Sequence, residues 1–197
     1  MVARVITKWP DPFLLNNTTP IKVFDEDVVQ LAKDLADTMK VHHGAGLAAP
    51  QIRDSRSACV ITRGYVPDLP VDPNLDDEVF LGNPLVKYNS QKDFVWNESC
   101  LSIENLAAKV HRYSEITVEY YDTLGKFHTF DLQGTQSATV QHETDHLVGK
   151  LFIHRLEGVT RMMTMKKLKK NLLKSRAQEK ANKEVNKRRK SSNKKRR

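Results

Sequence analysis

The chain reads as an α+β protein, and three observations predict that class. Ile116-Thr117-Val118-Glu119-Tyr120-Tyr121 alternates β-formers and turns through Thr123-Leu124-Gly125-Lys126 into Phe127–Leu132, which is a hairpin. Asp25–Lys40 places Val28, Val29, Leu31, Ala32, Leu35, Ala36 and Met39 at helical spacing. A second helix over about Gln136–Leu147 carries His142-Glu143-Thr144-Asp145-His146 and is followed by Gly149 as its C-terminal cap.

The remaining elements follow in order. Trp9–Pro20, with Pro10, Pro12 and Pro20, predicts an extended, turn-rich entry. Asp25 or Asp27 starts the first helix, and Gly44-Ala45-Gly46 ends it. Ser57–Thr62 is a short buried strand with Cys59 in its core. Gly64–Asp77, with three prolines, is a loop. Val79–Leu81 and Pro84–Tyr88 return to strand character, and Leu151–Leu156 is a short apolar element. Met162, Met165, Leu168 and Leu172 share one helical face among lysines. Beyond Ser175 apolar residues nearly vanish, and Lys187–Arg197 is low-complexity, which predicts disorder.

Charge divides the chain into two domains. Residues 158–197 carry 17 Lys/Arg against two Glu, and residues 1–157 carry 15 against 22 Asp/Glu, within an overall net charge of +8. A mildly acidic globular domain, 1–157, is therefore expected to bear a basic helical and disordered tail, 158–197. No run of 18 apolar residues exists, so no membrane partner is expected. Two cysteines make no disulfide framework, and neither signal nor transit peptide is evident, so the expected location is the cytoplasm.

His142 and His146 lie four apart and so share one helical face, where two imidazoles can hold one metal ion. Glu143 stands beside the first imidazole, placed to handle a proton of a metal-bound water. A catalytic site of this kind needs a third protein ligand. Downstream stand His154, Glu157, Glu179 and Glu184. The first two follow Gly149 too closely for an obvious return to the metal, and the last two lie in the basic tail. Upstream stands Cys100. Taken alone it would be a small buried hydrophobe, and Gln51 alone a surface amide.

Three segments together change that. Gly44-Ala45-Gly46-Leu47-Ala48-Ala49-Pro50-Gln51, Glu98-Ser99-Cys100-Leu101-Ser102 and Gln141-His142-Glu143-Thr144-Asp145-His146-Leu147 resemble, in order and approximate separation, the three signature segments of the peptide deformylases. The resemblance spans about residues 5–156. It implies small antiparallel sheets packed around a central H-E-x-x-H helix, and removal of the formyl group from formyl-methionyl nascent chains with release of formate. It implies Cys100, His142 and His146 as metal ligands, Glu143 as general acid/base on a metal-bound water, and Gln51 side-chain amide and Leu101 N–H as oxyanion donors. The implied cofactor is one divalent ion, Fe(II), with nickel, cobalt or zinc able to substitute. Gly46 is expected to let the chain approach the substrate, with Thr135, Ala138 and Thr139 lining the methionine pocket. Glu98 either supports the ligands or pairs with Arg112. The tail 158–197 is expected to contact the ribosome and its RNA, and the protein to be a monomer.

The sequence departs from the family pattern around the substrate. Ala107 stands where a peptide-holding arginine is frequent, and Ala45 where Ile or Val is common. With Thr135, Ala138 and Thr139 these predict a roomier, more polar pocket. Two rival functions are a zinc endopeptidase, opposed by the Cys100 segment and Gln51, and a non-catalytic ribosome- or RNA-binding protein, opposed by the intact Cys/His/Glu/His set.

Overall fold

In the computed structural model, which describes residues 3–194, the first helix, α1 (Glu26–Val41), begins at Asp25, whose carboxylate accepts from Asp27 N–H at 3.1 Å. Glu26 and Asp27 add negative charge where the helix dipole favours it. The helix closes on a six-residue C-terminal motif. His43 N–H donates to Lys40 O and Gly44 N–H to Met39 O, with His43 at φ 53°. That motif turns the chain directly into the glycine segment of the site.

Five strands form one antiparallel sheet in the order β1 (Gly46–Ala48), β2 (Ala58–Thr62), β3 (Glu78–Tyr88), β6 (Glu115–Tyr121) and β7 (Phe127–Gln133). The first two strands read as continuous apolar runs because both faces are covered. Leu47, Val60 and Phe80 belong to the core cluster that includes the buried stripe of α1. Their neighbours Ala48, Cys59, Ile61 and Leu81 belong to a second cluster with Val118, Leu132, Val140 and Leu147. The sheet thus packs helix α2 (Gly134–Leu147) on one side and α1 on the other.

Two expected strands are one. β3 runs through Gly82-Asn83-Pro84 with a register shift between Gly82 and Leu85, as a bulge. Asn83, at φ 50°, pins it by pairing both its side-chain amide groups with the Ile21 backbone. The hairpin β6–β7 forms as expected, with Ile116 facing Leu132. A second hairpin lies outside the strands that the sequence predicts: β4 (Phe94–Cys100) pairs with β5 (Ile103–Arg112) through the turn at Leu101-Ser102.

α2 is buried almost all round, which explains its weak amphipathic pattern. Ser137 and Gln141 anchor it by donating to Tyr113 O. Its end repeats the motif of α1, with Gly149 N–H on His146 O and Lys150 N–H on Asp145 O. Gly149 is required there, since its φ is 65° and a Cβ would stand 2.3 Å from Leu15 O.

Backbone contacts divide the chain into Met1–Leu156 and Glu157–Arg197. The second unit is a helix, α3 (Gly158–Lys194), which continues through the basic stretch expected to be disordered. The correction has a local cause. Lys, Arg, Gln, Glu and Ala are all good helix formers, and no Gly or Pro follows Gly158. Lys195 onward lies outside the described residues.

Candidate metal centre

Three potential ligands converge from two elements. Cys100 ends β4, and His142 and His146 occupy successive turns of α2. One ligand atom from each lies within 4.8 Å of the other two. Cys100 Sγ and His146 Nε2 are 3.4 Å apart. Among the described residues this is the one such His/Cys/Asp/Glu group. His154 and Glu157 are not in it.

The donor set fits a metal ion. His142 Nδ1 donates to Glu98 Oε2 at 2.6 Å, which leaves Nε2 as its free nitrogen. The Cys100 thiol reaches a pKa of about 5: burial opposes ionisation, but the adjacent His146 and His142 outweigh it. A thiolate and two imidazoles form a three-ligand set that leaves further positions for water or substrate. His146 Nδ1 is buried and has no protein partner.

Behind the ligands lies a buried row of alternating charges. Glu98 accepts from Arg112 Nε at 2.6 Å and from Arg112 Nη2 at 2.8 Å. Arg112 Nη1 donates to Asp145 Oδ2 at 2.6 Å, and Arg155 Nε donates to the same carboxylate at 3.0 Å. Glu98 therefore fills both roles that the sequence left open. The carboxyls of Glu98 and Asp145 are held below their ordinary range: burial pushes both up, and the guanidinium hydrogen bonds, with His142 for Glu98, more than offset it. Asp145 stands within the third signature segment without a role that its spacing reveals, and Arg155 lies outside all three segments.

Glu143 points away from this row. It is buried, its Oε2 has no partner, and burial raises its pKa. A Cβ on Gly46 would stand 2.5 Å from Glu143 Oε1 and 2.8 Å from Glu143 Cγ. The close approach at Gly46 is thus to the Glu143 side chain.

Gln51 is fixed at both ends. Its Oε1 accepts from Ala48 N–H at 2.8 Å, which directs Nε2 to Ser102 Oγ at 3.1 Å and to Cys100 Sγ at 3.6 Å. Leu101 lies in the β4–β5 turn, with its carbonyl accepting from Lys8 Nζ at 2.8 Å. Gln51, Leu101, Cys100, His142 and Glu143 line one cavity of about 910 Å³, while His146 is buried and not part of its lining.

The expected pocket residues divide. Gly46 and Thr139 line the cavity, as do Ala45 and Ala107. Thr135 and Ala138 do not. Ala138 turns into the core, and Thr135 is exposed in the first turn of α2. Two different reasons apply: Ala138 lies at the edge of the face that carries Thr139, Glu143 and His146, whereas Thr135 shares that face, four residues before Thr139, but sits at the exposed N-terminal end of α2, short of the cavity. Trp96, which the sequence reading passed over, lines the cavity two residues before Glu98 on β4.

Residues 3–162 match the family model described as polypeptide deformylase. A peptide deformylase of Desulfotalea psychrophila is 38% identical over 172 residues, covering 86% of this chain and 97% of that protein. The crystal structure of a peptide deformylase from Legionella pneumophila is similar with a TM-score of 0.75 at 34% identity, covering 89% of this chain and 99% of that one. The peptide deformylase of Thermus thermophilus gives a TM-score of 0.77 at 30% identity, over 88% of this chain and 97% of that one.

Proposed function

Because the chain belongs to the polypeptide deformylase family, a metal-dependent hydrolase that removes the N-formyl group from nascent peptides, we propose the following division of labour in its site. Cys100, His142 and His146 hold the ion, and Fe(II) is the ion we assign. A bound divalent ion supplies Lewis acidity and a water whose proton is lost near neutral pH.

The chain's own residues do the rest. Glu143 takes that proton and returns one to the departing amine, a role suited to a buried carboxylate with one oxygen unpartnered. Gln51 Nε2 and Leu101 N–H hold the formyl oxygen as it gains charge. Gln51 is oriented before substrate arrives, because its Oε1 is already committed to Ala48. Glu98 keeps the His142 ring in one tautomer and one orientation. The products are formate and a peptide with a free N-terminal methionine.

The convergence of the three ligand atoms beside the buried Glu143 carboxylate carries this reading. Its test is formate release from N-formyl-Met-Ala-Ser by anaerobically prepared iron- or nickel-loaded protein, with Glu143→Ala as control. Formate from the wild type alone supports the assignment. Equal rates would remove Glu143 from the chemistry.

We further assign the 158–197 segment to ribosome binding, where formylated chains emerge. Its 17 Lys/Arg against two Glu favour phosphate contacts that weaken steeply with salt. Co-sedimentation decides it: truncation after Glu157 should release the protein from ribosomes at physiological salt. No described helix is long and apolar enough to cross a membrane, and the free Cys59 and Cys100 suit the reducing cytoplasm in which we place the enzyme.

A further inference from the structure

We propose that Lys8 is a positioning residue for the reaction: from the chain's entry segment it holds the carbonyl of Leu101, and with it the turn whose N–H meets the formyl oxygen. The inference rests on the deformylase reading.

That turn has little support from its own hairpin. Ser99 pairs with Ala107 but Cys100 with Ile103, so residues 104–106 bulge out of the ladder beside Leu101-Ser102. Asn105 in the bulge is at φ 57°. Support comes instead from residues 7–9. Trp9 N–H donates to Ser102 O at 2.9 Å, and Lys8 Nζ donates to Leu101 O at 2.8 Å. One residue earlier, Thr7 N–H donates to Gln51 O at 2.7 Å. One short segment therefore grips both residues assigned to the formyl oxygen. It is itself anchored, because Ile6 and Thr7 are buried.

Lys8 supplies the side-chain contact in that grip, so a substitution can remove it and leave the backbone pairs. A charged donor on a carbonyl is stronger than a neutral one. A held carbonyl restrains its peptide plane, and the Leu101 N–H lies just across the Leu101 Cα. The Leu101 side chain is confined as well: a Cβ on Gly44 would stand 2.8 Å from Leu101 Cδ1. Lys8 Nζ also meets Glu104 Oε1 at 2.8 Å, but that carboxylate is 66% exposed, so the ion pair alone contributes little. Lys8 lines the cavity too, which makes direct contact with the peptide the competing role. The two roles differ kinetically. A donor fixed in advance acts on charge that develops in the transition state, so its support changes kcat, whereas a peptide contact changes KM.

The experiment measures kcat and KM of the metal-loaded full chain for formyl-Met-Ala-Ser in Lys8→Met, Lys8→Arg and Glu104→Gln. Lys8→Met should lower kcat about three- to tenfold with KM, metal content and melting temperature unchanged. Lys8→Arg, which keeps a charged donor, should recover most of that loss. Glu104→Gln should stay within about twofold of wild type. Wild-type kcat in Lys8→Met overturns the proposal. So does a loss confined to KM, and so does an equal loss in Glu104→Gln, which would place the effect in the ion pair. A fall in kcat that tracks lost metal or a lowered melting temperature would make Lys8 a structural residue and overturn it too. No formate from metal-replete wild type would instead overturn the deformylase reading itself.

Discussion

Glu98 accepts the Nδ1 proton of His142 at 2.6 Å while both its oxygens are held by Arg112. One carboxylate thereby joins a ligand on α2 to a buried cation on β5. The path returns to α2 through Asp145, three residues beyond His142. Strand, hairpin and helix are tied in a closed ring of charged hydrogen bonds, and the ligands sit on its rim. Arg155 extends the ring to the short helical turn Phe152–His154.

Two substitutions in this ring should fail differently. Glu98→Gln leaves an acceptor for His142 but a weaker one, so metal affinity should fall about 10- to 100-fold in a chelator competition. Arg112→Met removes the cation that faces two buried carboxylates. It should lower unfolding free energy by about 3–5 kcal/mol in a denaturant titration, because Glu98 loses its only cationic partner apart from His142. Unchanged metal affinity in Glu98→Gln would remove Glu98 from ligand support.

Gly46→Ala should disable the enzyme without disturbing the ligands. The new methyl would fall 2.5–2.8 Å from Glu143 Oε1, Cδ and Cγ, so the carboxylate must swing away. Misplacement by about 1 Å costs up to ~10²-fold in rate. Metal content should be unchanged while kcat falls about 10- to 100-fold. Wild-type kcat in this variant would show that Glu143 works equally well from a shifted position.

What the sequence made legible follows from its periods. The helical spacing of His142, Glu143 and His146 needed only α2 to be a helix, and it is. The β6–β7 hairpin alternates cleanly and was equally readable. The β4–β5 hairpin was not, because its inward face carries Glu98 and Arg112, buried charges where alternation calls for apolar residues. Missing that strand also meant missing Trp96, whose only signal is its two-residue distance from Glu98. Thr139 reaches the pocket where Thr135 and Ala138 do not: Ala138 turns into the core, and Thr135, on the same face as Thr139, sits one turn too early on α2, a depth along the axis that sequence spacing does not give. The bulge in β3 reads as a break because Gly82-Asn83-Pro84 spells a turn when its anchor, Ile21, is far away in sequence.

Asp54 gives stability with a defined acid limit. Its carboxyl lies below the ordinary 3.8: burial pushes it up, and hydrogen bonds from the Arg56 side chain and N–H pull it down further. A folded-state pKa below the unfolded one gives stabilisation that is full above the unfolded value and lost as pH falls through the folded one. Asp54→Asn should therefore cost about 1 kcal/mol at neutral pH, the upper end for a part-exposed pair. The gap between wild type and variant in thermal melts should close as pH drops below 3.8. A gap independent of pH would mean that the asparagine amide, not the lost charge, sets the cost.

The two cysteines should separate cleanly by alkylation. Cys59 is fully buried in β2, and desolvation, followed by the nearby Glu143 charge, holds its thiol far above the ordinary range. Cys100 is 9% exposed on the cavity wall with its thiol at about 5. Reactivity follows thiolate fraction and access. Chelator-stripped protein treated with iodoacetamide should gain one adduct, mapped to Cys100, and metal-loaded protein should gain none because the sulfur is committed to the ion. Cys59 should react only after unfolding. Equal labelling of Cys100 with and without metal would show that the thiolate is not a ligand, leaving two imidazoles and no third protein donor among the described residues. An adduct on Cys59 in folded protein would mean that the sheet opens between β1 and β3.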